Sequence, residues 1–349
     1  MERYFVGIDL HKEFFVAVAQ DSKGNQLFKE RYDCTKEAVA ELVEKFANPP
    51  VVVVEAGGNW MWFVRLLEQY KCSIQLAHPF RVKAIASARI KTDSIDAKTL
   101  CDLLRGDLIP QSYIASNETL DNRELARCRI ALVHDQTMTK NRVSAIMRKD
   151  NFRFKGDMFG VKGRKWLSEQ QVSVTKREVI NWYLGRLDDL KTTIAGVDQA
   201  MKQRSSSLPE VKLLQSIPGI GITTAFLLVS EIGTVKRFPN AKKFTSYFGM
   251  VPRLSQSGNH AYYGRITKLG NPYIRWALVQ TAHRVVRIDK KHKAFVERLA
   301  LKHGKKKAIV ALARKLGTIV YWVLKTETPY QRGGLMVYPD IIPESQPTG

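Results

Sequence analysis

The sequence predicts an α/β N-terminal domain built on a mixed sheet, a long helical connection, and a mainly helical C-terminal domain. Three observations predict it. Strand-like and helix-like runs alternate up to about residue 117, an apolar repeat in steps of three and four runs through 180–201, and two apolar helices meet at "IPGIG" (217–221).

The opening "RYFVGIDLHKEFFVAVAQDSKGNQLFKERYD" holds three apolar, β-branched or aromatic runs broken by turn signals, most clearly "DSKGN", which predicts an antiparallel meander. Residues 36–47 have the pattern of an amphipathic helix. "PPVVVVEAGG" is a continuous apolar run, the signature of a strand buried on both faces. A helix through "NWMWFVRLLEQY", a short strand "SIQLAHP" and helical segments carrying "KTDSIDAKTL" (91–100) complete an α/β order over 1–117. Residues 118–205 are polar, basic and helical in period, with an irregular break at "FKGDMFGVKG". Ile180, Tyr183, Leu187, Leu190, Ile194, Val197 and Met201 follow a coiled-coil seam, so a long helical hairpin is expected; a helix lying on the body of the protein has similar periodicity.

Residues 206–330 carry "LLQSIPGIGITTAFLLVSEIG" near their start, from Leu213. Pro218, Gly219, Ile220 and Gly221 between two apolar helices match a helix-hairpin-helix, whose glycines let backbone N–H groups approach a phosphate, although the same turn can serve packing alone. A loop rich in Gly, Arg and Lys is expected over "FGMVPRLSQSGNHAYYGRITKLGNPYIRWAL". Ile309, Leu312, Leu316, Ile319 and Val323 line one face of a basic amphipathic helix, and 331–349 form a loose tail.

A chain of 349 residues suggests two domains plus connections. Lys and Arg number 56 against 33 acidic residues, a net charge of +23 that calls for a polyanionic partner. Nucleic acid is the first choice and an anionic membrane surface the second. No apolar run reaches the ~20 residues of a membrane span, and the basic residues are spread along the chain, so no membrane partner is expected. Cys34, Cys72, Cys101 and Cys128 include no C-x-x-C pair and predict no zinc site. Unpaired thiols, and a start that reads directly as a strand without signal or transit sequence, point to a cytoplasmic protein.

Four carboxylates stand out. Asp9 ends the first apolar strand and Glu55 the buried one, where an unpaired charge is costly to desolvate. Neighbouring strands would bring these two together, and the helix carrying Asp93 and Asp96 could lie across their ends. Four oxygen donors with no His or Cys nearby suit Mg2+, with Mn2+ possible, and two such ions ~4 Å apart could clamp a phosphodiester. For Asp93 and Asp96 the plainer reading is helix capping, since the helix dipole favours both.

The order "GIDLHKE", "VVVEAGGNW", "KTDSIDA", "LLQSIPGIG" and "FGMVPRLSQSG…RITKLGNPYIRWAL" resembles the DEDD transposases of the insertion-sequence 110 family, relatives of the Piv DNA invertase. The resemblance covers nearly the whole chain. It implies a RuvC-like (RNase H-like) domain at 1–117, a coiled-coil connection at 118–205 and a transposase domain at 206–330. It places the acidic tetrad on Asp9, Glu55, Asp93 and Asp96 and the nucleophilic serine on Ser257, with Ser255 the nearest rival. One departure is "EAGGNW" where "EATGxY" is expected, which leaves the contacts around Glu55 open. Arg253, Arg265, Lys268 and Arg275 are candidates to hold the scissile phosphate, and Gly219 and Gly221 to touch nucleic acid.

The implied activity is RNA-guided DNA recombination through a phosphoserine intermediate. The implied partners are donor and target DNA, a guide (bridge) RNA, and further copies of the chain as dimers assembling into a tetramer, in a bacterial or archaeal cytoplasm at the nucleoid. The basic segment 118–205 and the C-terminal helix are the expected RNA contacts. A metal-dependent nuclease or junction resolvase using water, and a non-catalytic nucleic-acid-binding scaffold, are the alternatives.

Overall fold

Side-chain alternation along the first strands decides how the N-terminal part is layered. The computed structural model describes residues 3–85, 93–257 and 260–331, and the chain divides into two units, Met1–Ile114 and Ala115–Gly349. In the first, β1 (Phe5–Leu10), β2 (Phe14–Gln20) and β3 (Gln26–Asp33) form the expected antiparallel meander. They are followed by α1 (Lys36–Glu44), β4 (Val51–Glu55), α2 (Trp60–Gln69), β5 (Ser73–Ala77), α3 (Pro79–Ile85), α4 (Asp93–Arg105) and β6 (Gln111–Ser112). The strand order is β3-β2-β1-β4-β5-β6, with β1/β4 and β4/β5 parallel and the remaining pairs antiparallel. This is a mixed α/β sheet.

Both faces are covered, which is why "VVVV" lacks polar alternation. Val6, Ile8, Val52 and Val54 face α1 and α2, packing with Val39, Leu42, Phe63 and Leu67. Val53 and Ala77 face the other way, onto Leu100, Leu103 and Leu104 of α4, while Val16 and Val18 meet Ala97 and Cys101. At Gly7 no side chain separates sheet from helix. A Cβ there would stand 2.2 Å from the Ala97 carbonyl oxygen and 2.5 Å from the Cys101 nitrogen.

The second unit is mainly helical. α5 (Asn117–Lys149), α6 (Val161–Glu169) and α7 (Val174–Ser205) lead to α8 (Pro209–Gln215), α9 (Ile222–Ile232), a 3-10 turn at Val235–Arg237, and α10 (Ala241–Tyr247). β7 (Pro252–Ser257), β8 (His260–Ile266), α11 (Pro272–Ile288), α12 (Lys290–His303) and α13 (Lys305–Thr326) complete it. α5 and α7, 33 and 32 residues long, are each about 50 Å in length and run antiparallel. Arg129 pairs with Asp198 near their root, and Lys176 Nζ lies 2.6 Å from Asp150 Oδ1 at the far end. Ser116 and Ser173 cap them, accepting from Thr119 and Lys176 N–H. The break expected at "FKGDMFGVKG" is partly α6, whose Leu167 closes the hairpin end against Val143, Met147 and Ile180. At the root, Ala126 and Met201 enter the core formed with α8, α9, α10, α11 and α13.

One expectation is corrected and another is widened. The loop read over "VPRLSQSGNHAYYGRI" is largely an antiparallel hairpin, β7 on β8, with Ser257 paired to His260 at its end. α13 buries the five expected residues, Ile309, Leu312, Leu316, Ile319 and Val323, and on a broader apolar side also Ala308, Ala313, Gly317, Val320, Tyr321 and Leu324. It is a core helix whose Lys305, Lys306, Lys307, Arg314 and Lys325 are exposed. The tail beyond residue 331 lies outside the described residues. No helix among those described is long and apolar enough to cross a membrane, and none of the four cysteines is in a disulfide.

The contact at Gly7 predicts that Gly7→Ala lowers stability by about 1–3 kcal/mol or more, because backbone must yield rather than a flexible side chain. Urea unfolding of the full chain measures it. A midpoint equal to that of the unsubstituted protein would contradict the close seating of α4.

Candidate functional site

The parallel register of β1 and β4 runs from Phe5↔Val51 to Ile8↔Val54, so the next residues along are Asp9 and Glu55, where both apolar runs stop. Residues two apart in a strand share a face. Asp9 therefore shares the α4 side with Gly7, and Glu55 shares it with Val53. α4 runs antiparallel to β1, for Ala97 sits over Gly7 while the Cys101 Sγ donates to the Phe5 carbonyl at 3.2 Å. The first turn of α4 thus lies toward the strand ends that carry the two carboxylates. Asp96 stands in that turn, half-buried. Asp93 is the first residue of α4, and positions 93, 97 and 101 share one helical stripe; the side chain of Asp93 and residues 86–92 lie outside the described residues.

The expectation that no His or Cys lies near the carboxylates is corrected. His11 Nε2 is 3.1 Å from Asp9 Oδ2, with the Asp9 side chain 15% exposed. Cys34 Sγ lies 3.5 Å from the His11 carbonyl oxygen. Burial, with help from Asp33, holds the Cys34 thiol above its ordinary range, and the thiol donates to that carbonyl. The donors aligned on the α4 side are carboxylate oxygens, a set that suits a hard divalent cation in kind and placement. Among the described residues no three His, Cys, Asp or Glu side chains close into a metal cluster.

In the second unit, Gly219 has φ +82° and a Cβ there would stand 2.8 Å from Val285 Cγ2, so its need for glycine is met by the fit against α11. Gly221 is the N-cap residue of α9, with open space around its Cα. The two candidate glycines are therefore unlike: one packs, and one leaves a helix N-terminus approachable. Arg253, Arg265 and Lys268 are exposed on or beside the hairpin. Arg275 instead donates through Nη1 to the carbonyls of Phe248, at 2.9 Å, and Lys268, at 3.3 Å. It clamps the hairpin base. The side chains of Ser255, Ser257 and His260 lie outside the described residues. The four carboxylates belong to the N-terminal unit and Ser257 to the C-terminal one.

A buried charge went unread in the sequence. Glu231, inside the apolar run "FLLVSEIG", is fully buried. It accepts two bonds from Arg127, Nε at 2.6 Å and Nη2 at 2.9 Å, and one from Asn271 Nδ2 at 2.6 Å. Arg123 donates beside it to the Ser230 and Glu231 carbonyls at 2.7 and 3.2 Å. The Arg127 guanidinium also lies 4.7 Å from the Tyr273 ring centroid. Asn271 caps α11 directly after the hairpin, so one carboxylate ties the root of α5 to the elements flanking Ser257. A charged residue in an otherwise apolar helix was the available signal.

Comparison with known proteins adds to this geometry. Residues 6–150 match a DEDD transposase family of IS110 type, and residues 211–297 match the transposase IS116/IS110/IS902 family. Similar proteins include the transposase for insertion sequence element IS1111A of Coxiella burnetii, 25% identical over 94% of this chain and 91% of that one. The transposase for insertion sequence element IS1328 of Yersinia enterocolitica is 25% identical over 92% and 96%. The pilin gene-inverting protein of Moraxella bovis is 26% identical over 95% and 99%.

Removing the Glu231 carboxylate leaves two neighbouring guanidinium groups uncompensated. Glu231→Ala is expected to cost about 3 kcal/mol, the lower end for a broken buried pair because Arg127 keeps part of its hydration, with Glu231→Gln losing less. Denaturant unfolding checks this, and an alanine variant within ~0.5 kcal/mol of wild type would show that the network contributes nothing.

Proposed function

Because this chain belongs to the transposase IS116/IS110/IS902 family, whose members cleave and transfer DNA strands, we propose that it recombines insertion-sequence DNA through a serine-phosphate bond, with Ser257 as nucleophile and Asp9, Glu55, Asp93 and Asp96 holding Mg2+ or Mn2+. One observation carries this reading: Asp9 and Glu55 stand side by side at two strand ends, and the first turn of α4 lies toward them. A four-part organisation goes with it. Residues 1–117 form a RuvC-like (RNase H-like) domain, 118–205 a coiled-coil hairpin, 206–330 a transposase domain with a helix-hairpin-helix at 218–221, and 331–349 a tail.

A divalent cation in the tetrad would supply Lewis-acid stabilisation of charge on the phosphoryl oxygens. The chain's own residues do the rest. Ser257 Oγ attacks the scissile phosphorus, and the new O–P bond forms as the bond to the departing deoxyribose oxygen breaks. The serine's proton ends on that oxygen. Arg253, Arg265 and Lys268 offset charge on the non-bridging oxygens, and Arg275 holds the hairpin that presents them. Attack by a hydroxyl of another strand reverses the step, so the phosphodiester energy is kept in the phosphoserine bond.

Site choice falls to a guide RNA in this reading. A net charge of +23 suits a long polyanion, and the α5–α7 hairpin exposes much of its basic surface. Dimers assembling into a tetramer would supply the paired sites that exchange between two duplexes requires. A second reading draws on the fact that all four acidic residues lie in one unit: a metal-dependent nuclease or junction resolvase would use the same residues with water and need nothing from the second unit. The capping reading of Asp93 and Asp96 competes with both, since each lies in the first turn of α4. A non-catalytic scaffold does not agree with a family of strand-transferring enzymes.

One assay on labelled donor and target DNA separates these readings. Asp9→Asn and Asp96→Asn should keep the fold yet lose recombination by ~10^3-fold, the equivalent of several kcal/mol of charge stabilisation. Ser257→Ala should bind nucleic acid and form no covalent adduct, while denatured wild-type complexes carry DNA on Ser257 by mass spectrometry. Attachment at Ser255, or cleavage by Ser257→Ala to free ends, would overturn the serine assignment; undiminished recombination by both Asp93→Asn and Asp96→Asn would favour capping.

A further inference from the structure

We propose that His11 and Asn59 are positioning residues for the metal site, Asn59 fixing the loop after β1 to the loop after β4 and His11 fixing the Asp9 carboxylate. This rests on the metal-site reading above. The geometry begins with a cap that is not made. Asn59 occupies the N-cap position of α2 but forms no side-chain cap bond, although Asn is among the best capping residues and the bond is typically worth about 1 kcal/mol to a helix. Its side-chain amide is turned elsewhere: Nδ2 donates to the His11 carbonyl at 2.8 Å. That bond joins the residue four after Glu55 to the residue two after Asp9.

His11 is held from several sides. Its backbone N–H donates to the Phe14 carbonyl at 2.9 Å. Its ring stacks on Phe14 with centroids 4.5 Å apart and planes at 25°. In that pose Nε2 lies 3.1 Å from Asp9 Oδ2, which sets the rotamer of the carboxylate and donates to it when Nε2 carries the proton. The loops are close enough for this at Gly57, where a Cβ would stand 3.9 Å from the Leu10 carbonyl oxygen. Partners that orient ligating carboxylates typically matter 10- to 100-fold in metal affinity. The Asn of "EAGGNW" thus acquires a use that capping alone does not give it.

Mn2+ binding by the full chain, followed as loss of the free-ion paramagnetic resonance signal, tests the assignment alongside thermal melts. His11→Ala should weaken Mn2+ binding about 10- to 100-fold at near-normal melting temperature, and His11→Gln, which keeps a donor, should recover most of it. Asn59→Ser is the sharper variant: it is too short to reach His11 and has no cap bond to lose, so its melting temperature should stay near wild type while Mn2+ binding weakens. Three results overturn the proposal. They are a wild-type isotherm for His11→Ala, equal losses in His11→Gln and His11→Ala, which would make His11 a ligand, and Asn59→Ser binding as tightly as wild type. Wild-type protein that takes up no Mn2+, or Asp9→Asn binding like wild type, would instead refute the metal-site reading beneath it.

Discussion

The backbone contact between α4 and Gly7 is the constraint on which the N-terminal unit depends. With no side chain between them, the Ala97 carbonyl and Cys101 amide settle directly on β1, and the helix has one depth and one direction available. Because α4 runs against β1, that seating also decides which end of the helix meets the ends of the parallel strands. Asp9 and Glu55 are brought level by register, and Asp96 is brought toward them by the helix. A larger residue at position 7 would tilt or lift α4 and move its first turn away from the two carboxylates. Packing inside the unit and alignment of the site are therefore one requirement.

Much of this was legible in the residues. The β1–β3 meander followed from apolar runs and "DSKGN", and β4 from "VVVV", whose unbroken apolarity announced cover on both faces. Asp9 and Glu55 were visible because each interrupts such a run at its end. Other features were hidden for physical reasons. The β7–β8 hairpin has weak alternation and is rich in Ser, Gly and Arg, so its composition resembles a loop; its base is closed by backbone bonds from Thr267 to Val251 and from Lys268 to Gly249 and by Arg275. α13 buries a wider side than the five-residue stripe, because Ala308, Ala313, Gly317, Val320 and Tyr321 are small or ambiguous residues that periodicity weighs lightly and Leu324 falls outside the stripe. His11 stood two residues from Asp9 in plain view, but whether it could touch that carboxylate depended on the turn into Phe14.

The C-terminal unit solves a different problem, anchoring a hairpin about 50 Å long to a small helical body. Apolar packing at its root involves residues such as Ala126 and Met201, and directional bonds to Glu231 add what packing does not specify. A buried carboxylate with a bidentate guanidinium and an amide admits few arrangements, and here it joins α5, α9 and the start of α11. The same elements flank the hairpin bearing Ser257. The root of the long helices and the start of α11 accordingly share one polar node.

The metal-site proposal places a divalent cation between the ends of β1 and β4 and the first turn of α4. Diffraction from Mn2+-loaded crystals at the manganese absorption edge tests it most directly. Anomalous density is expected between the carboxylates of Asp9 and Glu55 and those of Asp93 and Asp96. Density elsewhere in the chain, or none there while Asp93 and Asp96 bond only to the N–H groups of their own helix, would contradict it.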